Sequence, residues 1–418
     1  MSNVLPQGWE EVLLKDYLDS IIDYRGKTPK KSESGIVTLS AKSVRMGFIE
    51  YDNAYYISEE TYKSFMTRGF PKKGDVLITT EAPLGCISRL DRDKVGLAQR
   101  LITVRGKVNK LDNGYLLYYL QSSFGQHELT SRATGTTVQG IKRSEFEKVK
   151  LILAPINEQK RIADILSAFD DKIELNNQMN QTLEDMATTL FKEWFENFNF
   201  PNEQDKPYKD NDGEMKSSEL GEIPIDWEVM KISEISENIS RRFKLKEHKE
   251  VVFVNTGDVL NGEFLHKDYK NPDNLPGQAK KAIKKGDILY SEIRPKNRRF
   301  ARVDIDVDDY VVSTKFMVIK RNEKIGYNCL YIYLTLDSTI ELFNTIAESR
   351  SGTFPQITFD SVSNVKMTLP NNGIIMEKFE KTVEPIFEQI KLNKEQNQTL
   401  KQQRDTLLPK LMSGEIRV

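Results

Sequence analysis

The chain has 418 residues, 61 Lys+Arg against 62 Asp+Glu, and a formal net charge of −1. At roughly 150 residues per domain, that length predicts two or three domains. With 38% hydrophobic and 29% charged residues it is too apolar for a disordered chain and too charged for a membrane protein, and no run approaches the ~20 apolar residues that span a bilayer.

The N-terminal stretch through Trp9 lacks the basic region and apolar core of a secretory signal. Cys86 and Cys329 stand far apart, which fits a reducing compartment. His127, His248 and His266 are too few for a zinc site or a histidine triad. A basic loop follows, Tyr24-Arg25-Gly26-Lys27, then Lys42 and Arg45. Short β-rich runs come next, Asp75 to Thr80 and Leu101 to Val104, with Arg100 at the head of the second. A helix is expected from Gly114 to Gln126, then a small polar loop, Gly135-Thr136-Thr137-Val138-Gln139.

From Ile162 the residues spaced alternately by four and three are Ile162, Leu166, Phe169, Ile173, Asn176, Asn180, Leu183, Ala187, Leu190 and Trp194. That is an a/d heptad seam on one long helix. Residues 200–222 are polar and punctuated by Pro and Gly, as a linker would be.

The order then repeats. Gly8-Trp9-Glu10 returns at Asp226-Trp227-Glu228, Lys72-Lys73-Gly74-Asp75 at Lys284-Lys285-Gly286-Asp287, Gly135-Thr136 at Gly352-Thr353, and Asn180-Gln181-Thr182-Leu183 at Asn397-Gln398-Thr399-Leu400. The second seam runs Phe379, Val383, Ile386, Ile390, Asn393, Asn397, Leu400, Arg404, Leu407 and Leu411. Two copies of one module are therefore expected, each an α+β globular part followed by a long helix. Asn facing Asn is tolerated in a seam, whereas Asn facing an apolar residue is penalised. An antiparallel pair follows, with Asn176 near Asn397 and Asn180 near Asn393.

Charge is uneven. Residues 1–155 hold 23 basic and 18 acidic residues, whereas 156–222 hold 7 and 16. Basic domains joined by an acidic spacer suit double-stranded DNA. Loops carrying Arg, Lys, Tyr, Asn, Thr and Gln suit phosphate contact and groove readout. The candidate DNA contacts are Tyr24, Arg25, Lys27, Lys42, Arg45, Arg100, Thr136 and Gln139 in the first copy. In the second they are Arg241, Arg242, Lys244, Lys296, Arg298, Arg299 and Gln356. No phosphate loop occurs, since Gly257 to Gly262 lacks the lysine that follows the last glycine. Asp75 and Glu81 lack the lysine of a nuclease site, and a turn Asp and a loop Glu fit them better. No catalytic residue and no metal ligand is expected. The rival classes are a coiled-coil protein scaffold and a self-sufficient DNA methyltransferase or nuclease.

Taken in order, these segments resemble the specificity subunit of type I restriction-modification systems along the whole chain. The resemblance rests on Pro6 to Trp9 and Pro224 to Trp227, on the Lys-Gly-Asp-Val/Ile-Leu strand, and on Glu81-Ala82-Pro83-Leu84-Gly85. It rests also on Gly135 to Ile141, Pro155-Ile156-Asn157-Glu158-Gln159, and Leu407 to Ile416. It implies two pseudo-repeated target recognition domains, 1–155 and 223–370. Two long antiparallel coiled-coil helices, 156–199 and 371–418, would join them, with 200–222 as linker. It implies that each domain reads half of a bipartite, asymmetric DNA site and that the helices set the spacer between the halves. Two methyltransferase subunits would dock on the helices and motor-nuclease subunits would complete the complex. S-adenosylmethionine, ATP and Mg would belong to those partners and none to this chain, and the setting would be the cytoplasm of a prokaryote.

Overall fold

The strand Val76–Thr80 is buried along its whole length, so it must be covered on two faces. The structure, a computed structural model, describes residues 5–24, 26–135, 138–350 and 353–418. The chain forms two units, Met1–Asn177 with Lys394–Val418, and Gln178–Asn393. In the first unit, Val76–Thr80 lies third in an antiparallel sheet ordered Leu18–Asp23, Leu101–Gly106, Val76–Thr80, Leu84–Arg89. Val76 and Ile78 point into one core with Ile102, Val104, Tyr115 and Leu116. Leu77 points into the other, with Ile22, Leu39 and Leu97. The alternation is the period-two geometry of a strand. The second core lies against a smaller sheet in which Ile36–Leu39 runs antiparallel to Tyr55–Ile57 and parallel to Gly96–Leu97.

The second unit repeats this plan. Its sheet is ordered Ser236–Asn238, Phe316–Arg321, Ile288–Ser291, Phe300–Arg302. Ile288 and Tyr290 enter one core and Leu289 the other. Val251–Val254 runs antiparallel to Tyr269–Lys270 and parallel to Tyr310–Ser313. Two further strands, Ala279–Ala282 and Arg241–Arg242, extend the smaller sheet here. In both units the strand just ahead of the main sheet closes back on the last strand: Glu10–Leu13 on Lys150–Leu153, and Trp227–Lys231 on Lys366–Pro370.

Two long helices, the central one at Ile156–Phe191 and the C-terminal one at Gly373–Ser413, contribute to both units. In the first unit Asn176 Nδ2 donates to Asn397 Oδ1 at 2.8 Å, and Arg404, the one charge in the seam, pairs with Asp170. Asp170 also accepts from the Tyr118 hydroxyl at 2.7 Å, which ties the helix pair to the globular part. In the second unit Asn393 Nδ2 donates to Asn180 Oδ1 at 2.8 Å. Partner numbers rise in one helix as they fall in the other, so the pairing is antiparallel. No helix among the described residues is long and apolar enough to cross a membrane.

The stretch 200–222, expected to be a linker, is largely docked on the second unit. Phe200 stacks on Trp227 with ring centroids 5.1 Å apart, beside Phe195 and Phe198. Met215–Ser218 and Gly221–Pro224 pair as a hairpin. The physical reason is the aromatic run itself: Phe191, Trp194, Phe195, Phe198 and Phe200 bring too much apolar surface to leave in water.

Candidate nucleic-acid interface

The recurring Lys-Lys-Gly-Asp turn is architectural. Asp75 is buried, accepts from Lys72 N at 2.8 Å, and takes a two-pronged bond from Arg105 at 2.7 Å on each prong. Asp287 is likewise buried, accepts from Lys284 N at 2.7 Å, and is gripped by Arg241 through both terminal nitrogens. The carboxylate hydrogen bond raises the Arg105 guanidinium above its ordinary value, fixing its charge. Arg241, a candidate DNA contact from sequence, is thus committed to Asp287, because a buried carboxylate without its cation is costly. Tyr24 also leaves the DNA set. Its ring is buried and stacked on Phe65, and its hydroxyl accepts from Arg68 N at 2.7 Å and donates to Gly69 O. Burial raises its hydroxyl above the usual tyrosine value. Arg299 spends its guanidinium on the carbonyls of Gly257 and Val259.

A different group converges at the end of strand Val76–Thr80. Thr80 N donates to Arg100 O and Thr80 O accepts from Ile141 N, both at 3.0 Å. This frame brings Arg100 to 3.6 Å from Glu81. Thr134 and Gly140 exchange backbone hydrogen bonds at 2.9 and 3.0 Å, closing a narrow loop that presents Val138 and Gln139 to solvent. Gly135 sits at φ +115°, and a Cβ there would fall 2.2 Å from Val138 O, so the loop needs glycine. Arg100 itself holds φ +68°, a conformation that costs a non-glycine residue of order 1 kcal/mol and clusters at functional sites.

The same frame recurs in the second unit with other side chains. Glu292 N donates to Lys315 O at 2.9 Å, and Ile357 N donates to Glu292 O at 2.8 Å. By this register Glu292 matches Thr80, Ile293 matches Glu81, and Lys315 matches Arg100. Lys315 Nζ lies 3.6 Å from Glu292 and donates to Gln356 Oε1 at 3.3 Å. Arg294, at φ +45°, lies with its guanidinium 5.9 Å from the Phe354 ring. Behind them Lys281 donates to Phe316 O, and burial lowers its ammonium below the ordinary lysine value, Glu292 opposing and Lys315 adding to the effect.

Sequence reasoning named Arg100, Gln139 and Gln356 here, read Glu81 only as a loop glutamate, and did not name Lys315 as a contact. One signal was available, since each copy places a basic residue directly before the matching strand, Arg100 before Leu101 and Lys315 before Phe316.

The other candidates lie outside these clusters. Lys27, Lys42 and Arg242 are exposed. Arg45 pairs with Glu50 at 2.7 Å, Lys244 with Glu247 at 2.8 Å, Lys296 with Glu341 at 3.1 Å, and Arg298 with Asp337. All four are surface pairs of small net worth, which leaves the cations able to exchange partners. Arg25 and Thr136 lie outside the described residues. No group of three or more metal-binding side chains converges among the described residues.

The comparisons agree with this doubled architecture. A family model described as the type I restriction modification DNA specificity domain matches residues 6–185 and 224–402. The type I restriction enzyme HindI specificity subunit of Haemophilus influenzae is 54% identical over 178 residues, spanning 42% of this chain and 39% of that protein. The MjaIX specificity subunit of Methanocaldococcus jannaschii is 28% identical over 369 residues, 87% of this chain and 82% of its own. The crystal structure of a type I restriction-modification S subunit from M. genitalium shares the fold, with a TM-score of 0.56 at 17% identity over 98% of this chain and 97% of that one. With the domain model matched twice, over most of its length, the chain belongs to the specificity-subunit family of type I restriction-modification systems.

Proposed function

We propose that this chain reads an asymmetric, bipartite site on double-stranded DNA, one half-sequence to each unit. The observation that carries it is a shared backbone frame whose charges are placed differently: Arg100 with Glu81 in one unit, and in the other Lys315 with Glu292, which stands where the first has Thr80, while Ile293 stands where the first has Glu81. A recognition module duplicated and then diverged reads two different sequences through one geometry. The helix pair sets the unread spacer. Two methyltransferase subunits dock on the helices and carry out adenine methylation with S-adenosylmethionine, and motor-nuclease subunits using ATP and Mg²⁺ complete the restriction complex. The chain itself binds none of these cofactors, carries no catalytic group, and works in the prokaryotic cytoplasm.

The test is methylation by the chain with its methyltransferase partner on a plasmid of known sequence. Modification confined to copies of one split sequence, with binding weakened steeply by salt, supports the proposal. Methylation without sequence preference refutes it.

A further inference from the structure

The two clusters differ from a phosphate-binding surface in one respect. Each sets a carboxylate 3.6 Å from its cation, Glu81 by Arg100 and Glu292 by Lys315. A carboxylate beside the cation repels a phosphate, and, unlike the other surface pairs, each of these stands on a frame of backbone hydrogen bonds shared by the two units. Such a pair is suited instead to a base edge, where donors and acceptors lie side by side. In the major groove a G·C pair offers guanine N7 and O6 as acceptors and the cytosine amino group as donor, the complement of an adjoining cation and carboxylate. A glutamine amide matches adenine N6 and N7.

Each unit places a glutamine next to the cation–carboxylate pair. Gln139 lies on the loop closed against Thr80 and Glu81, and Gln356 takes a hydrogen bond from Lys315. Each glutamine follows closely on a large exposed apolar residue, Val138 in one unit and Phe354 in the other, and such residues contact the thymine methyl group. The clusters also contain or adjoin residues in the left-handed backbone region, Arg100 and Arg294, a strain that persists where the surrounding fold holds a side chain in a set position. Lys27 and Lys42 are exposed.

Building on the proposed DNA recognition, we infer that each cluster is a base reader in the major groove. The cation–carboxylate pair takes a G·C pair and the glutamine takes an adjoining adenine. Arg100, Glu81 and Gln139 read one half-site. Lys315, Glu292 and Gln356 read the other. The exposed lysines hold the phosphates.

The test selects sequences from a random duplex DNA library with the full chain, tagged and purified together with the subunits that accompany it. Wild type is expected to enrich a split sequence with a G·C pair next to an A·T pair in each half. Gln139→Ala should cut the preference at the A·T position of one half-site by about tenfold and leave the other half-site intact, and Gln356→Ala should do the converse. Glu81→Gln should relax the G·C position beside the first. Lys42→Ala should instead weaken binding to all sequences alike and flatten the salt dependence. Gln139→Glu keeps the side-chain shape and should lose the adenine preference as well, which separates lost readout from a disturbed loop. If both alanine variants weaken all sequences equally, or select the wild-type sequence unchanged, the base-reader assignment is overturned while split-site recognition stands. If wild type enriches no sequence, both fail together.

Discussion

Asn176 and Asn397 meet side chain to side chain inside the helix pair, the Nδ2 of one 2.8 Å from the Oδ1 of the other, with Asn176 fully buried. Gln396 Oε1 accepts a second bond from Asn176 at 2.8 Å, and Asn397 donates in turn to Asn177 at 2.9 Å. A slip of one heptad would bring Phe169 or Leu183 of the seam opposite Asn397, so the pair fixes the register of the first unit, as Asn180 and Asn393 fix that of the second.

Asn397→Leu therefore sets an apolar side chain against the Asn176 amide, removes the Asn397 acceptor and leaves it Gln396, and should cost about 1–3 kcal/mol. The double variant Asn176→Leu/Asn397→Leu should recover part of that loss. Urea unfolding of wild type, the single variants Asn176→Leu and Asn397→Leu, and the double variant gives the coupling, expected at about 1 kcal/mol or more. Additive losses would show that the two side chains do not act as a pair.

The asparagine pairing was legible because heptad position alone decides which residues of a seam meet. The doubled domain was legible for a similar reason, since a repeat is written in order along the chain. The contacts sealing each domain were hidden by distance in sequence. Trp9 Nε1 donates to Glu158, 149 residues away, and Glu158 is also held by Arg417, 259 residues away. Trp227 is sealed by Phe195, Phe198 and Phe200 instead. Divergence replaced an ionic clasp with aromatic packing, and nothing local announces it. Arg241 misled for the same reason. A basic residue in an Arg-rich loop looks like a DNA contact until the fold brings Asp287 to it.

That clasp sets a pH limit on the first unit. The Arg417 hydrogen bond holds the Glu158 carboxyl below its ordinary value of 4.5, burial opposing and Trp9 assisting. A depressed value means that the unfolded chain takes up the proton first. The stabilisation is therefore full above about pH 4.5 and is lost as pH falls through the folded-state value. Trp9 fluorescence should report loosening on acidification. Glu158→Gln should remove that transition and lower stability at neutral pH. A transition that persists unchanged in Glu158→Gln would assign it to another group.

Glu380 works in the opposite sense. Its carboxylate caps the helix Tyr327–Thr335, accepting from Cys329 N at 2.8 Å and Asn328 N at 3.2 Å. Burial nonetheless raises it above the ordinary carboxyl value, the two backbone hydrogen bonds opposing. Its contribution is greatest below the unfolded value and declines as pH rises through the folded one. Glu380→Gln should gain on wild type in thermal unfolding as pH rises above the ordinary carboxyl value of 4.5, and Glu380→Ala should lose about 1 kcal/mol of capping. A stability difference between Glu380→Gln and wild type that is constant with pH would contradict the assignment.

Removing seven residues from the seam of each long helix keeps the a/d pattern and shortens each by about 10 Å, at 1.5 Å per residue. The permitted spacer between half-sites should shorten by about three base pairs at roughly 3.4 Å per step, with both half-sequences kept. An unchanged spacer refutes the proposal that the helix pair sets it.

The most direct measurement is a map of methylated adenines in the genome of cells carrying this chain with its modification subunits. The account predicts one recurrent motif made of two unlike half-sequences at a fixed separation. Methylation in a continuous motif, in two identical half-sequences, or at adenines of no common sequence would contradict it.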